Sequence, residues 1–170
     1  FDETNGTVAH DSSGNDRNGT LTGFDSNTTQ WVQGKIGGAL SFDGVNDFVS
    51  ANNGSHQSFS VSAWVKTGDP DAMIASVRAS WLLWNDENEM RFEIQSNGWQ
   101  EPTKVPLGSI WSFVTAIHDA NTGKASIYLD GVFKTSKIIS NRNINSNPIT
   151  IGADTYYGRY LNGLIDDVRA

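Results

Sequence analysis

Along several stretches of this chain every second residue is apolar, and hardly anywhere does an apolar residue return at the three- or four-residue spacing of a helix. A period of two puts alternate side chains on opposite faces, so it predicts strands with one dry and one wet face. FSVSAWVKT places Phe59, Val61, Ala63 and Val65 on one side, with Ser60, Ser62, Trp64 and Lys66 on the other. MRFEIQ sets Met90, Phe92 and Ile94 against Arg91, Glu93 and Gln95. ASIYLDGVF sets Ala125, Ile127 and Leu129 against Ser126 and Tyr128, then reaches Asp130-Gly131, a pair that accepts the positive φ of a tight hairpin. Turn signals at Gly14-Asn15, Asp43-Gly44, residues 85–88, Asn97-Gly98 and residues 121–123 cut the rest into short pieces. Many short strands with turns at this spacing predict an all-β sandwich or jelly roll.

A chain of 170 residues has the length of one ordinary domain and buries a core without covalent staples. With 37% hydrophobic residues it is too apolar to remain disordered. It has no cysteine, which removes disulfide frameworks and thiolate metal sites. The 12 bases against 19 acids leave a formal charge of −7, a field that attracts neither nucleic acid nor an anionic membrane. No apolar run approaches the roughly 18 residues that a membrane helix needs. The opening FDETNGT carries no signal-peptide pattern and reads as the edge of a module within a longer chain.

Five segments occur in a telling order: FDETNGTVAHDSSGNDRNGTLTG, WVQGKIGGALSFDGVNDFVSA, FSVSAWVKT, IWSFVTAIHDANTGKASIYLDGV and LNGLIDDVRA. Together they resemble the laminin-G-like, concanavalin A-like jelly-roll modules of bacterial secreted proteins. The resemblance covers nearly the whole chain as one domain, residues 1–170. It implies a concanavalin A-like jelly-roll β-sandwich of two antiparallel sheets, and a secreted or cell-surface location. It implies packing roles for Trp31, Trp64 and Trp111. It does not imply a ligand, because the family hosts many functions. Residues 69–107 depart most from the family pattern, so any property particular to this module is expected there.

The closing LNGLIDDVRA holds adjacent acids, Asp166 and Asp167. On a strand these point to opposite faces, and Asp166 shares its side with Leu164 and Val168. A carboxylate among apolar neighbours needs a hydrogen bond, a counter-charge or a metal. The resemblance implies a structural calcium ion that ties the chain ends together. In it Asp166 matches the terminal ligand, Asp2 the N-terminal acid with Glu3 as substitute, and backbone oxygens near Gly38 or Asp43 complete the shell. Calcium takes about six to eight oxygens, so two acids with carbonyls and water suffice. The metal-free alternative has Asp166 pair with Arg169 or cap a loop. DSSGNDRNG, from Asp11, lacks the spacing of an EF-hand loop and reads as an Asx-rich turn.

Glycosidases on this fold align two or three carboxylates on one strand, because acid and nucleophile must flank one glycosidic bond. Here only Glu89 and Glu93 fall together on a strand's polar face, with Arg91 between them, and the E-x-D-x-x-E arrangement is absent. His10, His56 and His118 have no metal-binding spacing. A non-enzyme is expected.

Six tryptophans in the chain raise the possibility of sugar stacking, against the plainer reading of core packing. Trp81, Trp84 and Trp99 lie in the atypical middle; Trp84 and Trp99 flank the MRFEIQ strand and bring Arg91 with them. Tyr156, Tyr157 and Arg159, before the last strand, are candidates for a rim. The expectation is a non-catalytic carbohydrate-binding module, calcium-stabilised, that holds a larger polysaccharide-degrading enzyme or surface protein near its polymer. It is expected to act as a monomeric unit of that longer chain, with a poly- or oligosaccharide as partner. The alternative is a protein-interaction or adhesion module of a large cell-surface protein.

Overall fold

The computed structural model of the chain describes residues 1–25, 30–54, 56–100 and 104–170. No helix occurs among them. Two large sheets, antiparallel throughout their pairings, enclose a common apolar core. In the nine-stranded sheet the order is Val8–Ala9, Gly19–Thr22, Phe48–Ala51, Ile149–Ile151, Asp71–Val77, Trp81–Asp86, Glu89–Gln95 and Trp99–Gln100, with Val105–Pro106 also paired to Glu89–Gln95. The seven-stranded sheet runs Val132–Ile138, Lys124–Leu129, Ser112–Asp119, Phe59–Thr67, Asn162–Arg169, Gly38–Asp43 and Trp31–Gln33. Strands from the end of the chain sit inside both sheets, so each closes only when distant segments meet. This is the expected jelly-roll β-sandwich.

The alternation read from the sequence sorts side chains as it should. Val61, Ala63 and Val65 from one sheet and Met90, Phe92 and Ile94 from the other are buried in the same core, with Phe59 partly buried against it. Full burial of the larger ones, Val61, Val65, Met90, Phe92 and Ile94, contributes about 1.5–3 kcal/mol each. Asp130 and Gly131 take φ of 54° and 76°, the two positive values of a tight hairpin. The turn expected over residues 85–88 is narrower. Asn85 and Asp86 stay in the strand, and only Glu87 and Asn88 turn, at φ 55° and 64°. Asn85 is buried and remains in register because its amide donates to the Asp69 carbonyl at 2.6 Å.

A loop crosses the outer side of each sheet. On the nine-stranded sheet it is the ribbon of Ala153–Asp154 paired with Arg159–Tyr160, tied down where Ser76 Oγ donates to the Ala153 carbonyl at 2.8 Å. On the seven-stranded sheet it is the turn over residues 34–37, closed by the Gly34 N–H on the Gly37 carbonyl at 2.9 Å. These two coverings position the candidate sites.

Candidate functional site

The Trp81–Asp86 strand is apolar over its first four residues, so its two faces carry Trp81 and Leu83 on one side and Leu82 and Trp84 on the other. Trp81 turns inward. It is 2% exposed, stacks on Phe59 at 5.2 Å between centroids and meets Phe92 at 6.3 Å. The expected ligand role for Trp81 is therefore corrected: its ring is core, and no sugar reaches it.

Trp84 turns outward, where it joins Met73, Leu82 and the half-buried Trp99 in a small apolar cluster separate from the main core. It is nevertheless only 5% exposed. The Arg159 guanidinium covers its ring at 4.2 Å and Arg91 lies 5.5 Å away. Trp84 is thus a floor beneath cations, and a sugar stacked on it would have to displace Arg159. Arg91, expected as a ligand contact, is a brace instead, ion-paired with Asp86 and 3.9 Å from Glu93. Glu89 pairs with Lys104 at 3.1 Å. The strand's acids are therefore engaged with neighbouring cations.

The accessible part of this face lies beside Trp84. Trp99 Nε1 donates to Tyr157 Oη at 3.4 Å, and Tyr156 and Tyr157 meet edge to face at 4.9 Å. Tyr156 is 62% exposed and Tyr157 51%. Arg159 also reaches the Tyr157 ring, at 5.5 Å. Between these rings lies a cleft of about 430 Å³, lined by Trp99, Tyr156 and Tyr157 with Arg78, Ala79, Gln95, Gly98 and Asp154. Rings with a few convergent polar groups are the usual makings of a small-ligand site. Asp154 is buried and fixes the tyrosines, its Oδ1 accepting the N–H of Tyr156 at 2.9 Å and of Tyr157 at 3.3 Å. The structure brings Trp84, Trp99, Arg91, Tyr156, Tyr157 and Arg159 onto one face. Sequence reasoning missed Arg78, Gln95 and Asp154. Gln95 was legible as the last wet-face position of MRFEIQ; Arg78 sits in a hairpin turn with no motif.

The carboxylate pair resolves on the other sheet. Asp166 lies opposite Trp64 on the outer side of the seven-stranded sheet, yet is 1% exposed because the 34–37 turn closes over it. Its Oδ2 accepts the Ile36 N–H at 2.8 Å, and Asp2 Oδ1 accepts the Gly38 N–H at 2.8 Å. A Cβ at Gly34 would come within 2.7 Å of Asp166 Oδ2, and one at Gly37, where φ is 70°, would overlap Asp2 Oδ1. Only glycine lets this turn sit so near both carboxylates. The strand register shifts at Asp167, whose φ is 48°. That shift turns Val168 toward the core, so it does not share the side of Asp166. Arg169 binds Asp167, at 2.9 and 3.2 Å, and not Asp166.

Asp43 does not belong to this clip. It ends the strand that Gly38 begins, roughly 16 Å away at the rise of a strand. Its Oδ1 accepts the Val45 N–H at 2.8 Å and shapes the next turn. Glu3 holds the His10 N–H at 2.7 Å. Among the described residues no cluster of three or more His, Asp or Glu side chains is placed to hold a metal. The groups that line this turn are oxygens: Asp166 Oδ2 beside Gly34, Asp2 Oδ1 beside Gly37 and the Phe1 carbonyl beside Gly38. Neither acid has an ion pair among the described residues. A buried carboxylate without a counter-charge fits a hard cation such as calcium, provided carbonyls and water complete the shell.

Asp11 confirms the Asx-rich turn. It accepts the N–H groups of Ser13 and Arg17 and the Ser13 hydroxyl, bonds that hold its carboxyl down at about 2.

Compared with solved structures, the chain superposes on domain 4 of AbnA, a GH43 extracellular arabinanase from Geobacillus stearothermophilus, in complex with arabinotriose. The TM-score is 0.72 with 21% identity, over 92% of this chain and 84% of that one. It superposes on the receptor binding domain of botulinum neurotoxin C/D mosaic serotype with TM-score 0.70 and 17% identity, over 94% of this chain and 44% of that one. The binding domain of Paraclostridial Mosquitocidal Protein 1 matches at TM-score 0.67 and 14% identity, over 92% of this chain and 44% of that one. The chain thus spans less than half of the toxin domains. At these identities the likeness is one of fold. No protein among the curated sequences matches. The laminin-G-like family model, described as the concanavalin A-like lectin/glucanases superfamily, matches residues 40–170, and the chain belongs to that family.

Proposed function

We propose that the protein is a non-catalytic carbohydrate-binding module whose glycan lies in the cleft between Trp99 and the Tyr156–Tyr157 pair. The observation that carries this reading is the cleft itself: exposed aromatic faces beside arginine and amide groups, on a platform fixed by Asp154 and Ser76. Sugars offer apolar C–H faces to such rings and hydroxyls to such polar groups. The arabinanase domain, which was solved with arabinotriose, supports the choice of ligand class. The reading places the module in a secreted polysaccharide-degrading enzyme or surface protein, and the extracellular arabinanase that carries the similar domain supports the first of these. Each site of this kind gains by multivalency on a polymer.

Catalysis does not suit this face. Glu89 and Glu93 would need to flank a bond, but Lys104 engages the first and Arg91 stands between them. The reading also gives the terminal clip a calcium ion held by Asp2 and Asp166. When bound, it would neutralise a buried carboxylate and cross-link the N-terminus, the 34–37 turn and the last strand; the chain's own hydrogen bonds already join positions 36 and 130 residues apart there.

Affinity electrophoresis through gels containing plant, algal and microbial polysaccharides tests the proposal, with wild type beside Trp99→Ala and Tyr157→Ala. Retardation by one polymer, lost in variants that melt normally, supports it. A wild type that runs freely in every gel sinks it and turns the search to protein partners.

A further inference from the structure

Resting on that reading, we propose that the cleft selects an acidic glycan, and that Arg78 receives the sugar carboxylate. Two charged side chains line the cleft, Arg78 and Asp154. Asp154 is buried and its Oδ1 already holds two backbone N–H groups. Arg78 is exposed, and its guanidinium lies over the Tyr156 ring at 4.8 Å. Among the described residues that guanidinium has no ion pair and no hydrogen-bond acceptor. Of the chain's other arginines beside this face, Arg91 is paired to Asp86, and Arg159 lies over Trp84 with Asp71 at 3.8 Å. Stacking fixes the plane of a guanidinium and leaves its N–H edge open, and that fork matches the two oxygens of a carboxylate.

The turn that carries Arg78 is held unusually well for a hairpin tip. Ala79 adopts φ of 57°, a value that a residue with a Cβ rarely takes. Three asparagines at alternate positions clamp it. Asn143 Nδ2 donates to the Ala79 carbonyl at 3.0 Å, while Asn145 and Asn147 donate to the Arg78 carbonyl at 3.1 and 3.0 Å. A strained backbone retained beside a cleft and pinned from outside is the arrangement expected of a preorganised contact. The cleft thus presents a positioned cation on a chain whose net charge is −7. Long-range attraction to a polyanion is therefore absent, and recognition of the acid must be local.

The acid group can come from a uronic acid within a polymer or from a terminal sialic acid, and paired probes separate the two. Isothermal titration would compare galacturonic acid oligomers with carboxyl-reduced oligomers of the same length, and sialyllactose with lactose. At least one acidic probe is expected to bind about ten- to a hundredfold tighter than its neutral twin, the scale of a charge-assisted hydrogen bond. Arg78→Gln should bring the acidic and neutral members of each pair to the same affinity, and Arg78→Lys should restore part of the difference. Because the side chain is exposed, both variants should melt with wild type. Equal affinity for both members of each pair, or a preference that survives Arg78→Gln, overturns the inference while the carbohydrate reading stands. Absence of binding to any probe, charged or neutral, together with free migration in every polysaccharide gel, overturns both.

Discussion

Each sheet carries one loop across its outer side, and the two loops do opposite things. The 34–37 turn has glycine where it meets Asp166 and Asp2, so backbone comes directly onto carboxylate. The Ala153–Tyr160 ribbon is rich in large side chains; its Arg159 and Tyr157 prop it above the sheet on Trp84 and Trp99 and leave a cleft at its side. Small residues seal and large ones stand off. The first covering is suited to join distant parts of the chain, and the second to receive a ligand.

If the division is real, changes at the clip should alter stability and leave affinity alone. Removing calcium with a chelator has the largest expected effect. It should destabilise the fold by about 2.7 kcal/mol if calcium stood at a hundredfold over its Kd, while glycan affinity measured well below the melting temperature stays constant. Loss of affinity in a protein that remains folded would break the comparison. Next is Asp166→Ala, which strands the Ile36 N–H and should cost about 1–3 kcal/mol by denaturant titration. Asp166→Asn keeps an acceptor for that N–H but should abolish the response to chelator, separating the hydrogen bond from the metal.

At the cleft the signs reverse. Trp99→Ala should weaken glycan binding by about tenfold or more, as the loss of a central aromatic contact does. Its effect on melting should be smaller than that of a core tryptophan, because Trp99 is only partly buried, at the edge of the small outer cluster. The smallest effect concerns pH. Burial pushes His118 below its ordinary value, opposed by the bond from its Nδ1–H to the Gln57 carbonyl at 2.8 Å. Its Nε2 is buried with no partner to receive an added proton. The unfolded chain therefore protonates first, so this contribution is complete above about pH 6.5 and is lost as pH falls below it. Thermal melts from pH 7 to 5 should decline, and His118→Gln should flatten that part of the slope. Affinity should hold over the same range, because arginine does not titrate.

What the sequence disclosed depended on how local each determinant is. Strand faces follow a two-residue period, so the inward set Val61, Ala63 and Val65 and the outward set Arg91, Glu93 and Gln95 were legible without a structure. The same period could not say that Trp81 is core and Trp84 is a floor, because SWLLW has apolar residues on both faces. Nor could it show Arg159 covering Trp84 from a position far along the chain. Asp166 was legible as a carboxylate in need of a partner. Val168 was misplaced, because a register shift at Asp167 restarts the alternation and no residue type announces it. Asp43 was assigned to the clip through resemblance alone; the length of its own strand keeps it away. Arg78 and Asp154 were invisible because the cleft joins a hairpin tip to a ribbon near the other end of the chain.

The most direct test is a crystal structure of the protein soaked with an oligosaccharide that retards it in gels. Sugar density between Trp99 and the Tyr156–Tyr157 pair, with the clip unchanged, is the expected result. Density on the outer side of the seven-stranded sheet or at the Asp2–Asp166 clip, with the cleft empty, would contradict it.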